Sequence, residues 1–251
     1  MMMMISVCIL TKNAEVTLKR TLDSVRSFPE VILLDSGSTD RTLEIAKNYP
    51  NVHIHTSPFI GFGSLRNRAA GLAKYPWILA LDSDEVLSNE LIEEINKLNL
   101  NENVAYNLPR HNYLKGKRVR GCGWDGEYTA RLYHRKFTAF SDRQVHEALT
   151  AKALTNLKAP LIHTPYRATA DFLSKMQHYS TLFAEQNRGK KKANFWIALA
   201  HASFAFFRSF FFQRGVFCGT KGWIISFYIA STTFYKYLKL AELNRESRSS
   251  E

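Results

Sequence analysis

Three observations predict an α/β fold, a Rossmann-like and mostly parallel sheet flanked by helices, with a C-terminal amphipathic helical appendage. First, apolar runs of strand length alternate with helical stretches in the early part of the chain, the order that builds parallel βαβ units. Second, two of those runs, residues 31–34 and 77–81, end in acidic clusters, Asp35-Ser36-Gly37-Ser38-Thr39-Asp40 and Asp82-Ser83-Asp84-Glu85. Ligand crevices in open α/β sheets lie outside the carboxyl ends of the strands, so carboxylates delivered there point to a ligand more than to folding. Third, the chain becomes helical from Asp171, and residues 195–240 are rich in Phe and punctuated by His201, Arg208, Arg214, Lys221, Lys236 and Lys239.

Each element has its own signal. Residues 5–10 read as a strand, and residues 15–27 as a helix with Leu18, Leu22 and Val25 on one face, closed by Pro29. After the strand at 31–34, a Gly-Ser turn leads into a helix over about 40–48 that Ser38 or Thr39 can cap. Residues 52–55 form a short strand. Leu65, Ala69, Leu72 and Ala73 place a helix over 64–74, ahead of the strand at 77–81. Gly61 and Gly63 read as loop-turn glycines, because the rest of a dinucleotide fingerprint is missing. Ser88 can cap a helix that runs through Leu98, with Leu91, Ile95 and Leu98 facing inward. From Val104 to about His163 the pattern changes to short strand-like pieces rich in Tyr, Arg, His and Gly, which suits a binding region built from hairpins. The polar end from Asn244 is expected to fray.

The 251 residues carry a formal charge of +12 and a pI near 9.6, which implies an anionic partner. Basic residues cluster at 111–135 and 188–192, so that partner belongs to the second half. Cys8, Cys122 and Cys218 have no paired spacing for zinc or a disulfide framework and are expected as thiols of a reducing compartment. No signal peptide is expected from residues 1–10, which lack a basic n-region. The run 195–212 is near the lower limit for a membrane span, but His201 and Arg208 interrupt it. Helices of this kind suit the interface plane of an anionic membrane, or packing on the rest of the protein or another subunit.

The ordered set Thr11-Lys12-Asn13, Asp35 to Asp40, Arg66-Asn67 and Asp82-Ser83-Asp84 resembles the inverting glycosyltransferase family 2, with its GT-A fold. Gly61-Phe62-Gly63, Gly123-Trp124, Val145-His146-Glu147 and the aromatic tail are similar to the family branch that adds sugars to the lipopolysaccharide core. The resemblance implies a nucleotide-sugar-binding half over 1–100, an acceptor-binding half over 101–170 and a helical membrane-associating or packing region over 171–251. It implies that Asp35, with Thr11 and Asn13, meets the nucleotide, that Arg66 pairs with donor phosphate, and that Asp82 reaches the ribose, or the metal through water. Asp84 is implied as the direct ligand of Mg²⁺ or Mn²⁺, and His163 as a further ligand. Asp35 also suits a plain turn, and Asp84-Glu85 also suits the charge preference at the start of the next helix.

Inverting transfer is a single displacement that needs one carboxylate as general base. Glu147 is the first choice, with Asp142 and Asp125 behind it. The expected partners are a nucleotide-sugar donor, a lipid-linked saccharide acceptor and an anionic membrane surface. No nucleic acid is expected, and the oligomeric state is left open. Glucose from UDP-glucose is the expected donor sugar, with ADP-heptose and a UDP-N-acetylhexosamine as alternatives. Arg110, Lys115, Lys117, Arg118 and Arg120 are expected to face acceptor phosphates or carboxylates. A location at the cytoplasmic face of the inner membrane follows from that reading. The rival class is a noncatalytic basic module for nucleic acid or membrane, for which Tyr113, Trp124, Tyr128 and Tyr133 among the cations would be the signature.

Overall fold

Continuous apolar runs suit strands covered on both faces, and β1 (Ile5–Thr11) and β2 (Glu30–Asp35) are buried at every position. The computed structural model describes residues 4–141, 148–166 and 168–249. Between and after these strands come α1 (Leu18–Ser24), α2 (Thr42–Ala46), β3 (Val52–Thr56), α3 (Phe62–Leu72), β4 (Trp77–Asp82), β5 (Glu85–Leu87) and α4 (Asn89–Lys97). The hairpin region supplies β6 (Val104–Leu114), β7 (Lys117–Arg118), β8 (Glu127–His134), β9 (Ala153–Asn156) and β10 (Leu161–Tyr166). Helices α5 (Thr169–Asn187), α6 (Phe195–Phe207) and α7 (Thr220–Ser249) follow, with a π-helical turn (Arg208–Phe212) and a 3-10 turn (Gly215–Cys218) between the last two.

The sheet runs β3-β2-β1-β4-β8-β6-β10-β5, with β7 and β9 each paired to β6. Its first four strands are mutually parallel. The strand order reverses between β1 and β4, so their carboxyl ends open at a topological switch point. Beyond β4 the pairing is antiparallel from β4 to β8 and from β8 to β6, and again between β10 and β5. The parallel character therefore belongs to the first half of the sheet, and hairpins extend it.

Two compact units result: Met1–His111 with Glu127–His163, and Asn112–Gly126 with Thr164–Glu251. In the first, Leu18, Leu22 and Val25 of the α1 region and Leu91 and Ile95 of α4 cover one sheet face over Ile5, Val7, Ile9, Leu33 and Leu79. Leu65 and Ala69 of α3 cover the other face over Cys8, Leu10, Ile32 and Ile78. Alternate residues of one strand thus reach opposite cores, as the pleat requires. In the second unit, Trp124, Tyr166 and Phe172 stack on one another and Tyr166 and Phe172 meet Tyr228 edge-on.

Several local expectations need correction. Helix α2 is only five residues long, and neither Ser38 nor Thr39 caps it; instead the Asp40 carboxylate accepts from Thr42 N at 3.0 Å, while Ser38 and Thr39 bond to Asn13. Leu72 is exposed, because α3 presents Leu65, Ala69 and Ala70 to the sheet. The polar end from Asn244 continues α7 through Ser249. The Ser88 cap forms as expected, accepting from Leu91 N at 3.1 Å. The three cysteines are free thiols.

Candidate active site

Register brings the acidic strand ends together. Thr11 lies opposite Asp35 across β1 and β2, and Leu10 lies opposite Asp82 across β1 and β4. Asp35 is buried, and its carboxylate accepts from Gly37 N at 3.0 Å and Ser38 N at 2.9 Å. The turn it closes needs Gly37, whose φ of 91° is costly for any side chain. Asn13 ties the neighbouring loop to this turn: its N–H donates to Ser38 Oγ at 2.9 Å and its Oδ1 accepts from Thr39 N at 2.8 Å. Thr11 Oγ1 is buried beside Asp35 without a hydrogen-bond partner among the described residues.

Asp82 ends β4 between two guanidinium groups. Arg66 Nη2 donates to its Oδ1 at 2.7 Å and Arg131 Nη2 to its Oδ2 at 2.6 Å. The same Arg131 nitrogen donates to Glu85 Oε1 at 2.8 Å, and Glu85 Oε2 accepts from Asp82 N at 3.0 Å. Arg110 reaches Glu85 at 3.6 Å and Glu127 at 2.6 Å. Burial pushes the Asp82 carboxyl up, but the charges of Arg66 and Arg131 outweigh it and hold the group well below the usual carboxylate range. Burial lowers the Arg131 pKa, and Glu85 and Asp82 more than reverse this, so both partners stay charged. A fully buried Glu85 is tolerable only because its oxygens are occupied in this way.

Asp84, between Asp82 and Glu85 in the chain, has its Oδ2 3.5 Å from His163 Nε2. His163 reaches it because β10 pairs antiparallel with β5, placing His163 opposite Glu85. A carboxylate and an imidazole side by side form a donor pair that a divalent cation can accept, with its remaining positions left to phosphate oxygens and water. The described residues contain no group of three or more such ligands.

The Arg66-Asn67 pair divides its work. Asn67 Nδ2 donates to Phe140 O at 2.8 Å and its Oδ1 accepts from Phe140 N at 2.9 Å. Ser141 N then donates to Ala148 O, and Thr150 N to Ala139 O, each at 2.9 Å. Asn67 therefore pins the strand pair that flanks residues 142–147. Asp142, His146 and Glu147 lie outside the described residues.

Two of the cations expected near the acceptor already have carboxylate partners: Arg110 pairs with Glu85 and Glu127, and Arg118 with Asp125 at 2.7 Å. Arg131, and its pairing with Glu85 of the acidic run, was missed by the sequence reading. The available signal was an arginine at a buried position of an apolar strand segment, Ala130-Arg131-Leu132-Tyr133, which demands a buried carboxylate partner. Concave surfaces around Trp77, Asn99 and His134 and around Glu90 and Lys158 do not include these residues.

Residues 6–157 match the profile described as Glycosyl transferase family 2. The chain belongs to glycosyl transferase family 2. This family 2 chain is 28% identical to an uncharacterized glycosyltransferase of Rickettsia typhi, covering 98% of this chain and 89% of that one. It is 25% identical to the lipopolysaccharide core biosynthesis glycosyltransferase LpsC of Rhizobium meliloti, covering 88% and 85%. Its fold is similar to that of S. aureus TarS 1-349 in complex with UDP-GlcNAc, with a TM-score of 0.50 at 15% identity over 99% of this chain and 93% of that one. The family 2 chain is a glycosyltransferase of the GT-A fold.

Proposed function

We propose that the chain is a metal-dependent inverting hexosyltransferase that moves glucose from UDP-glucose onto an inner-core sugar of lipopolysaccharide at the cytoplasmic face of the inner membrane. The observation that carries the donor half is the pairing of Asp84 with His163 beside the Arg66–Asp82–Arg131 cluster, at the carboxyl ends of β1 and β4. In this reading Asp84 and His163 would hold Mg²⁺ or Mn²⁺, which would supply Lewis-acid charge at the diphosphate leaving group. Asp35 and the buried Thr11 hydroxyl receive the base, Asn13 keeps their turn in place, and Asp82 reaches the ribose. Arg66 exchanges part of its contact with Asp82 for donor phosphate, where its fork suits the geometry. Glu147 takes the acceptor proton. Asp125 is the weaker choice because Arg118 already binds it.

Likeness to LpsC supports a lipopolysaccharide acceptor, and TarS in complex with UDP-GlcNAc supports a uridine diphosphate donor. A UDP-N-acetylhexosamine or ADP-heptose uses the same groups, because these read nucleotide and metal and not the sugar. A donor panel with Mn²⁺ and delipidated core acceptor tests the reading. UDP-glucose should give the fastest turnover, and a faster rate with either alternative replaces the sugar assignment. Glu147→Gln should slow transfer by about a hundred- to ten-thousandfold while leaving donor-induced thermal stabilisation intact. An unchanged rate removes Glu147 from the mechanism.

A further inference from the structure

The second unit is built inside out between α6 and α7. The seam of α6 that is buried carries small residues, Ala198, Ala202 and Ala205, continued by Ser209, whose Oγ lies 2.9 Å from Ser226 Oγ of α7. Apart from the buried Phe210, most large side chains of the same stretch are exposed: Trp196 is 73% exposed, Phe212 79% and Phe217 84%. Small residues at the helix seam with large apolar ones outside is the pattern of helices whose outer surroundings are lipid. The rings also form one network: Phe207 stacks on Phe211, Phe211 meets the buried Phe210, Phe210 and Phe206 meet Trp223 of α7, and Phe206 meets Phe227. A contiguous apolar patch of this extent marks an interaction surface.

Charge identifies what covers it. Between Glu185 and Glu242 the chain has no acidic residue, while Arg188, Lys190, Lys191, Lys192, Arg208, Arg214, Lys221, Lys236 and Lys239 fall inside that interval. Two copies meeting through such a surface would oppose like charges. An anionic bilayer complements it, taking aromatic rings at the acyl boundary and cations at the phosphates. Arg208 and Arg214 sit among the exposed phenylalanines, which sets the depth: they are compatible with the headgroup level and costly at the bilayer centre.

We infer that the α6–α7 hairpin lies in the plane of an anionic membrane surface, inserted to the headgroup and acyl boundary without crossing. This deepens the membrane part of the proposed function and uses residues apart from the donor site.

The test uses the full chain with vesicles of phosphatidylglycerol and phosphatidylcholine, against phosphatidylcholine alone, in co-flotation. Binding should require the anionic lipid. R208Q/R214Q/K221Q should weaken it about a hundredfold, at about fivefold per charge. F212E/F217E should abolish it. Both variants should keep donor-induced stabilisation, which separates loss of docking from misfolding and from failure of the donor reading. Tryptophan quenching should be stronger with bromines near the lipid headgroup than near the chain ends. Equal binding to both vesicle types, binding unaffected by the substitutions, strongest quenching from the chain ends, or self-association in place of vesicle binding would each overturn the inference.

Discussion

At the residue scale, Asp82 shows why an acidic motif is not a set of free carboxylates. Both its oxygens are held by guanidinium groups, yet its side chain is 32% exposed, so it is locked in place and still open to a ligand. Asp82→Asn should destabilise the fold by about 2 kcal/mol at neutral pH, less than the ~3–5 kcal/mol of a fully buried broken pair, because solvent screens it. The sign with pH follows from the depressed folded pKa. The contribution is fully present above the ordinary aspartate value of about 3.9 and is lost as pH falls through the folded value. Denaturation of both proteins across acid pH should show their stability gap constant down to about that value and closing below it. A gap that closes near neutrality would contradict the assignment. Asn67 makes a second residue-level claim: Asn67→Ala should lower kcat by about a hundredfold, the scale of a misplaced catalytic group, with donor-induced stabilisation unchanged. Equal losses in both readouts would mean that Asn67 serves only the fold.

At the element scale, the strands and their acidic ends were legible because a run such as Trp77-Ile-Leu-Ala-Leu-Asp82 carries both its burial and its stopping point. The partners of Asp82 were less legible. Arg131 reaches it through antiparallel pairing of β4 with β8, where Leu79 lies opposite Leu132, and no local pattern encodes that register. The loop from β2 misled for a related reason: Ser38 and Thr39 have the chemistry of caps, but Asn13 from the β1 loop takes them first. Likewise the aromatic tail announced its surface, whereas the alanine seam that turns those rings outward emerges only from helix pairing. The turn joining α6 to α7 gives a direct check. A methyl group at Gly222, in the first turn of α7, would overlap the backbone carbonyl of Gly215. Gly222→Ala should therefore cost about 1–3 kcal/mol or more as overpacking, seen as a lowered Tm. A neutral result would contradict the close approach of these two turns.

At the scale of the whole molecule, one unit gathers the groups suited to the donor and the other carries the basic aromatic surface suited to lipid. Net charge reflects this division, since the acidic residues that hold the donor cluster are concentrated before residue 100 while the tail is almost purely cationic. The rival noncatalytic reading has no use for Asp84 facing His163. The most direct measurement is thermal stabilisation by UDP-glucose with and without Mn²⁺, comparing the unaltered chain with Asp84→Ala. The unaltered chain should gain stability only when nucleotide sugar and metal are both present, following ligand linkage of about 2.7 kcal/mol at a hundred times Kd, and Asp84→Ala should lose that gain while keeping its own baseline Tm. Equal stabilisation of both proteins, or none in the unaltered chain from any nucleotide sugar, would contradict the account.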